Sequence, residues 1–233
     1  SRDEDVGMVH LMVEGDTNPL EKVFNGYNQF IHPFISKVVL LDKNGNLVND
    51  YPIMFIVIPI KDAHGKIIAA LSLRLDPFDD FSAIMRASRI GVSGETYLVN
   101  KAGILISDSR FLDQLNGAGI LDNERHSMLH VEIRDPGLNL LTSFNPEQTN
   151  KELPYTFALE QVLKGTSGFS KKAYRDYRGV FVYGTWLWDE ELDLGFIAEM
   201  DENEALIFFN QSRFATISLV IIPILIMLFI VFL

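Results

Sequence analysis

The apolar run at the end of the sequence restricts the fold of this chain more than any other feature. Residues 215–233, ATISLVIIPILIMLFIVFL, contain no charged side chain. At a rise of about 1.5 Å per residue, a helix of this length extends about 28 Å, close to the thickness of the hydrocarbon core of a bilayer. Pro223 is compatible with such a helix, because membrane helices tolerate proline. A buried helix of a soluble core is the alternative, but length and hydropathy predict a transmembrane helix over 215–233.

The chain ends and the flank of the apolar run give two further expectations. The sequence begins at Ser1 rather than Met and stops at Leu233, so we expect it to be a fragment of a longer polypeptide. Residues 201–213, DENEALIFFNQSR, carry a single basic residue, Arg213. This acidic flank suits the exterior or periplasmic side, whereas the positive-inside rule gives no orientation, because the loop that would follow Leu233 is not in the sequence.

The composition excludes several classes of protein. Hydrophobic residues make up 48% of the chain and charged residues 22%, which is too apolar and too patterned for disorder. The net charge of −11 repels polyanions, so we expect no nucleic-acid partner. The chain has no cysteine, which excludes disulfides, thiol chemistry and cysteine-ligated zinc.

Two pairs of segments align with each other and indicate an internal repeat. LLDKNGNLV at 40–48 aligns without gaps on LVNKAGILI at 98–106, and each has a Lys and a Gly at matching positions. LSLRLD at 71–76 aligns in the same way on FIAEMD at 196–201. We therefore predict that the chain contains the same small module twice.

The coarse order of elements is helix, hairpin, strands and helix, and then the same order again. The predicted elements ahead of the membrane are helices over 18–31, 77–91 and 153–165, an antiparallel strand pair at 54–60 and 66–76, and three strands within 168–201. This order predicts an α+β fold in which each half is a five-stranded antiparallel sheet, or part of one, with helices on a face.

The repeat divides the chain into four parts. We assign 1–88 to a membrane-distal module with an N-terminal helix, 89–201 to a membrane-proximal module, 202–214 to a juxtamembrane helix and 215–233 to the membrane helix. The distal module is expected to be incomplete, because only residues 49–52 separate its hairpin from the next strand.

Three segments resemble a known family. They are GETYLVNKAGILISDSRF at 94–111, IRDPGLNLL at 133–141 and the long segment YRDYRGVFVYGTWLWDEELDLGFIAEMDENEA at 174–205. Together they resemble the double Cache (tandem PAS-like) extracytoplasmic sensor domains of bacterial membrane receptors, and the similarity spans most of residues 31 to 205.

The resemblance implies both architecture and role. It implies two tandem PAS-like (Cache) modules with antiparallel sheets, placed outside the cell inner membrane up to about residue 213 and followed by a transmembrane helix. It implies a small-molecule ligand whose signal passes to a cytoplasmic histidine kinase. A nucleotide cyclase, a protein kinase or a chemoreceptor is the alternative output. No cofactor and no catalysis within this segment are expected.

The resemblance also implies a homodimer, because receptors of this family usually work as dimers. An apolar stripe of Phe24, Tyr27 and Ile31 on the predicted N-terminal helix would need cover, which a second copy could give. Packing of the stripe on its own sheet is the alternative.

The resemblance points to the chemistry of the distal ligand through one position. Amino-acid-binding members usually carry an Asp nine residues past the glycine of the strand turn, where it holds the ligand amino group. Nine residues past Gly65 the sequence has Arg74. A guanidinium suits a carboxylate or phosphate rather than an ammonium, so we expect a small organic anion.

Candidate ligand-binding residues in the distal module are Arg74, Tyr51 and Phe55. The alternative for Arg74 is an exposed position on a sheet face, where it pairs with Asp76 or Asp79, since most arginines are solvated.

Candidate ligand-binding residues in the proximal module are Arg110, Tyr174, Tyr177 and Trp186. They could line a small pocket on the concave face of the sheet. Core packing is the alternative for Trp186, because a half-buried sheet needs large residues.

Metal and catalytic motifs are weak. His126 and His130 are spaced i and i+4 beside Glu124 and Glu132, which could form a surface metal site on a helix, but a solvated face is the better interpretation, so we predict no metal site. The sequence contains no nucleophile elbow, no glycine-rich phosphate loop and no His-Glu-x-x-His. A membrane-anchored adhesion or scaffold module remains as a second class, and a tethered hydrolase as the weakest.

Overall fold

The computed structural model describes most of the chain. It covers residues 19–36, 39–41, 45–121, 126–142 and 153–232. The centre of the first predicted hairpin at 42–44 and Glu124 of the histidine cluster lie outside these residues.

The distal module is built on three antiparallel strands that follow one short helix. Its elements are α1 (Pro19–Phe24), β1 (Gln29–Ile35), β2 (Leu40–Leu41), β3 (Leu47–Val48), β4 (Pro52–Lys61) and β5 (Ile67–Leu75). The sheet has the order β1-β4-β5, whereas β2 and β3 form a two-stranded ladder of their own. The predicted strand pair at 54–60 and 66–76 is confirmed as the β4–β5 ladder.

Local turn chemistry explains why β4 and β5 pair. The Asp62 carboxylate accepts hydrogen bonds from the backbone N–H groups of His64 and Lys66, at 2.8 and 2.9 Å. Gly65 has a φ of 82°, in the left-handed region that side chains rarely adopt. The sequence KDAHG therefore reverses the chain and sets the register of the hairpin.

The N-terminal helix is shorter than the predicted one. Helical spacing of apolar residues predicted a helix over 18–31, but α1 ends at Phe24. Gly26 has a φ of 98°, which ends the helix. The residues that follow form β1, in which Ile31 lies opposite Phe55 of β4.

The proximal module contains a complete antiparallel sheet. Its strands are β6 (Glu95–Val99), β7 (Gly168–Phe169), β8 (Tyr174–Arg175), β9 (Phe181–Asp189) and β10 (Leu194–Asp201). The order is β6-β10-β9-β7, and β8 also pairs with β9. The predicted five-stranded sheet is thus confirmed for this half of the chain. The second arm of the predicted 98–106 hairpin forms isolated bridges, including Val99 with Leu105, rather than a strand.

The helices are mostly short. A π-helical turn (Pro77–Phe81) leads into α2 (Ser82–Ala87), and the remaining helices are α3 (Leu112–Gly117), α4 (Phe157–Leu163), α5 (Glu202–Ala205) and α6 (Ile207–Phe232). The Asp76 carboxylate accepts hydrogen bonds from Phe78 N and Asp79 N at the start of the π-helical turn. The predicted helices over 77–91 and 153–165 are confirmed in part, since α2 ends at Ala87 and α4 begins at Phe157.

The two modules are not equal repeats. The hairpin predicted to match the proximal one is the β2–β3 ladder, which pairs only with itself, and the described distal sheet has three strands rather than five. Only residues 49–51 join β3 to β4, which leaves no room for helices such as α3 and α4 in the proximal module.

A shared apolar cluster joins the modules. Met85, Leu98, Ile106 and Leu194 are buried together, and Phe30 of β1 packs against them from the distal side. Beside this cluster, His32 Nε2 is hydrogen bonded to the Leu192 carbonyl at 2.7 Å. The turn between β9 and β10 is thus one of the places where the proximal sheet contacts the distal module, and the packing of Met85 in α2 on Leu98 in β6 is another.

The last helix is continuous across the predicted membrane boundary. Juxtamembrane and membrane helices were predicted at 202–214 and 215–233, whereas the structure has a turn at Leu206 and a single helix from Ile207 to Phe232. Within it, Phe209–Leu228 is long and apolar enough to cross a membrane and makes no buried contact with the rest of the molecule. The apolar C-terminal helix is therefore confirmed, and it begins before Ala215.

Candidate functional site

The three predicted distal residues lie together at one end of the β4–β5 ladder. Phe55 and Arg74 are opposite each other in register, so their side chains project from the same face of the sheet. Phe55 is buried in the distal core, whereas Arg74 is exposed on strand β5. Tyr51 packs against the same core, and its hydroxyl donates to Asp76 Oδ2 at 2.9 Å. Arg74 is therefore an exposed cation on the face of the sheet whose other side chains form the distal core.

The four predicted proximal residues are engaged with the protein itself. Tyr177 and Trp186 are buried in the proximal core, Tyr174 packs against it, and the Phe157 ring lies edge-on to Trp186 at 5.4 Å. The Arg110 guanidinium donates to the backbone carbonyls of residues 91 and 94. The structure places the three aromatic side chains in one interior and Arg110 at the edge of the sheet rather than around one open pocket, and their role in ligand binding stays a prediction.

Two buried glutamates occupy that interior. Glu95 of β6 and Glu199 of β10 are opposite each other in register, and they are only 3% and 6% exposed. Glu199 accepts hydrogen bonds from the hydroxyls of Tyr97 at 2.9 Å and Tyr174 at 2.7 Å. The Tyr177 hydroxyl donates to Glu95 at 2.6 Å. Three tyrosines thus bond the two acids.

Glu95 has two further donors, which come from the loop after β6. Ser109 Oγ donates to Glu95 Oε1 at 2.9 Å, and the backbone N–H of Arg110 donates to the same oxygen at 2.6 Å. Glu95 therefore fixes the loop that carries Arg110 against the edge of the sheet.

Arg178 forms a second buried charge cluster next to the glutamates. It donates to Asp176 Oδ2 and to Asp201 Oδ1, both at 2.7 Å, and to Gln114 Oε1 at 3.0 Å. Its guanidinium carbon lies 3.5 Å from the centre of the Phe111 ring. Asp201 is the last residue of β10, so Arg178 connects the interior of the module to the start of α5.

The interior shifts the protonation of these groups. Burial is the main cause that raises the pKa of Glu199 to about 8, and the negative charge of Asp176 raises this pKa further. The hydrogen bonds from the tyrosine hydroxyls act in the opposite direction. Burial also raises the pKa of Asp176 to about 6, although the Arg178 guanidinium favours the ionised carboxylate. Burial raises the pKa of Tyr97 well above its ordinary value, so its hydroxyl stays a donor.

The start of α5 is held to the sheet by hydrogen bonds around one serine. The Glu204 carboxylate accepts from the backbone N–H groups of Val92 and Ser93, at 2.8 and 2.7 Å, and from the Ser93 hydroxyl. The Asp201 N–H donates to Ser93 Oγ at 3.1 Å. The hydrogen bonds from Ser93 are the main cause that lowers the pKa of Glu204, so these contacts persist at neutral pH.

Sequence analysis missed Glu95, Glu199, Asp176 and Arg178 as members of a site. The alternation of side chains along β6 could have indicated that Glu95 is buried, because Glu95 shares a face of the strand with the core residue Tyr97. That signal was ambiguous because Leu98, on the opposite face of the same strand, is buried as well.

The two histidines have separate partners. The His126 ring lies 4.2 Å from the ring of Phe78, and His130 Nδ1 is hydrogen bonded to the Met128 carbonyl. Within the ranges that the structure describes, no cluster of His, Asp and Glu is suited to a metal ion.

No protein-family model matches the sequence, and no curated protein matches it either. Solved structures do match. The extracellular domain of a proposed histidine kinase, mmHK1S-Z3, is 14% identical with a TM-score of 0.46, and the match covers 82% of this chain and 55% of that one. The periplasmic sensory domain of the Campylobacter jejuni chemoreceptor Tlp1 is also 14% identical, with a TM-score of 0.44 and coverages of 80% and 55%.

A third similar structure is the ligand-binding domain of the Pseudomonas aeruginosa amino acid chemoreceptor PctB, solved with L-Arg. It is 13% identical with a TM-score of 0.41, and the match covers 83% of this chain and 64% of that domain. This chain thus spans between about half and two thirds of the length of these structures. These three structures are an extracellular domain of a proposed histidine kinase, a periplasmic sensory domain of a chemoreceptor and a ligand-binding domain of a chemoreceptor.

Proposed function

We propose that this chain is the extracytoplasmic double Cache sensor of a membrane-bound receptor, anchored in the inner membrane by α6. Ligand binding outside would change the position of α6 and so control a cytoplasmic histidine kinase. A cyclase, a protein kinase or a chemoreceptor is the alternative output. Two arrangements that bind the ligand with different affinity are enough for such a switch.

The observation that carries this proposal is the connection between the proximal sheet and α6. The central strand β10 ends at Asp201, and only α5 and one turn residue separate it from α6. Glu204 and Asp201 hold this junction to residues 92 and 93 and to Arg178. A movement of the sheet can therefore reach the apolar helix through a short segment that is hydrogen bonded to the sheet.

We further propose that the ligand is a small organic anion bound at Arg74, with Tyr51 and Phe55 beside it. The exposed guanidinium can bind a carboxylate with two parallel hydrogen bonds, Tyr51 lies at the same end of the sheet, and the buried Phe55 supports the strand beneath Arg74. An amino acid, as in the similar chemoreceptor domain, would need an acceptor for its amino group that Arg74 does not supply.

Calorimetric titration of the full chain in detergent tests the anion site. We expect dicarboxylates such as succinate to bind, and Arg74→Ala to weaken the binding about 10- to 100-fold, because a charge-assisted hydrogen bond contributes about 1.5 to 3 kcal/mol. Lys66→Ala is the matched control, since it removes an exposed cation from the β4–β5 turn. Equal binding by the Arg74→Ala variant would overturn the anion site.

Thermal shift separates the sensor from a scaffold. A ligand present at about 100 times its dissociation constant stabilises the folded protein by about 2.7 kcal/mol, so binding raises the melting temperature. A panel of organic acids and amino acids that leaves the melting temperature unchanged would favour the membrane-anchored scaffold. A shift produced only by amino acids would support a sensor with a different ligand.

A further inference from the structure

The proximal interior contains an acid with no counter-charge. Among the residues that the structure describes, no Lys, Arg or His forms an ion pair with Glu199. Its two oxygens are bonded only by tyrosine hydroxyls, and its side chain is removed from solvent. An ionised carboxylate in such a place is costly unless it is paired, so a carboxyl group there favours its neutral form.

Negative groups surround Glu199 on several elements. Glu95 lies opposite it on β6, and the charge of Asp176 acts on it from the turn between β8 and β9. Arg178 lies in the same interior, but its nitrogens are bonded to Asp176, Asp201 and Gln114. The titratable and charged groups around Glu199 are Glu95, Tyr97, Tyr174, Asp176, Tyr177 and Arg178.

We propose that Glu199 is a proton-binding site of the proximal module, and that loss of its proton weakens the Arg178–Asp201 ion pair where β10 joins α5. The proton passes from the Glu199 carboxyl group to solvent as the external pH rises. The site would let the module report external pH to α6 without any ligand in the distal module.

Competition between acidic groups for the Arg178 guanidinium would couple the protonation of Glu199 to the start of α5. With Glu199 neutral, Arg178 can divide its hydrogen bonds between Asp176 and Asp201. Ionised Glu199 adds a negative charge facing Asp176, which draws the guanidinium into the interior and away from Asp201. Asp201 then loses its side-chain partner, although its N–H remains bonded to Ser93.

Infrared spectroscopy of the full chain in detergent tests the proton site directly. We expect the band of a protonated carboxyl group at neutral pH, with a component whose midpoint lies near pH 8; Glu199→Gln loses this component and keeps only that of Asp176, whose midpoint lies near pH 6. The exposed Glu190→Gln is the matched control and keeps the band. Tyr174→Phe preserves packing but removes one hydroxyl that favours the carboxylate, so the midpoint rises. Absence of a band at neutral pH in both the wild-type and Tyr174→Phe proteins would overturn the proposal.

Stability gives an independent measure of the same proton. The folded chain holds it more tightly than the unfolded chain, so the free energy of unfolding falls as pH rises from 4.5 to about 8. Glu199→Gln removes this contribution, whereas Glu190→Gln leaves it. Chemical denaturation across this range would contradict the proposal if the wild-type and Glu199→Gln proteins showed the same slope.

Coupling to α5 can be measured because the chain has no native cysteine. Spin labels at Lys171→Cys, on the exposed β7–β8 turn, and at Asn203→Cys, on exposed α5, report the distance between the sheet and α5. We expect this distance to change with the midpoint of Glu199 and to stay fixed in Glu199→Gln. A distance that is independent of pH while the carboxyl band titrates would overturn the coupling to α5.

Discussion

Arg178 connects three polar side chains of the proximal interior. It is almost completely buried, and it neutralises Asp176 while it also holds Asp201 at the end of β10. A buried ion pair is not a strong source of stability in itself, because both ions lose their hydration. Removal of one partner lowers the free energy of unfolding, because it leaves the other charge buried without compensation.

Arg178→Leu is therefore expected to lower the free energy of unfolding by about 3 to 5 kcal/mol, since it leaves Asp176 unpaired in the interior. Denaturant unfolding monitored by the fluorescence of Trp186 and Trp188 measures the change. Arg134→Leu is the matched control, because its partner Glu132 is substantially exposed and the loss is expected to stay near 1 kcal/mol or below. Equal losses in the two variants would contradict this account.

At the scale of elements, the proposed transfer of a signal to the membrane depends on the continuity of α6. Leu206 lies between α5 and α6, a position where proline is tolerated at the start of a helix. Gln211 lies inside α6, where proline removes a hydrogen bond and costs about 3 kcal/mol.

We expect Gln211→Pro to uncouple ligand binding from output in the full-length receptor while leaving both sheets folded. Leu206→Pro is the matched variant and should reduce coupling less. Output activity measured beside ligand affinity separates the two effects. Normal output from a stable, membrane-inserted Gln211→Pro receptor would show that helix continuity is not required.

Elements with local signals were predicted well from the sequence. The β4–β5 hairpin followed from two apolar segments on either side of the KDAHG turn, signals that act over a few residues. The N-terminal helix was overextended, because apolar spacing over 18–31 fits a helix until Gly26 ends it. The acidic interior could not be predicted, because the burial of Glu199 depends on Tyr97 and Tyr174, which arrive from distant parts of the chain.

At the scale of the whole molecule, two of the three apolar residues predicted to lie in a dimer contact are exposed to solvent. Phe24 and Tyr27 are 52% and 67% exposed, whereas Ile31 lies in β1 and packs against the distal core. Exposed aromatic residues are typical of contact surfaces. A second copy of this chain is the partner that we propose for them, in keeping with a receptor that has one membrane helix in the segment described.

The full chain in detergent is expected to sediment as a homodimer. Phe24→Ser combined with Tyr27→Ser removes apolar surface from the contact and should shift the equilibrium towards monomers. Phe181→Ser, which alters an exposed aromatic residue on the proximal sheet, is the matched control. Sedimentation of the wild-type protein as a monomer at all concentrations would contradict the dimer.

The position of β10 determines what kind of motion can cross the proximal module. One end of this strand adjoins the turn that contacts the distal module, and the other end begins α5. At about 3.4 Å per residue the strand spans about 27 Å. Because β6 and β9 pair with it on both sides, β10 cannot slide along its own axis without breaking two ladders. A push on the β9–β10 turn would therefore displace the sheet as one body, and β10 would carry that displacement to α5 and α6.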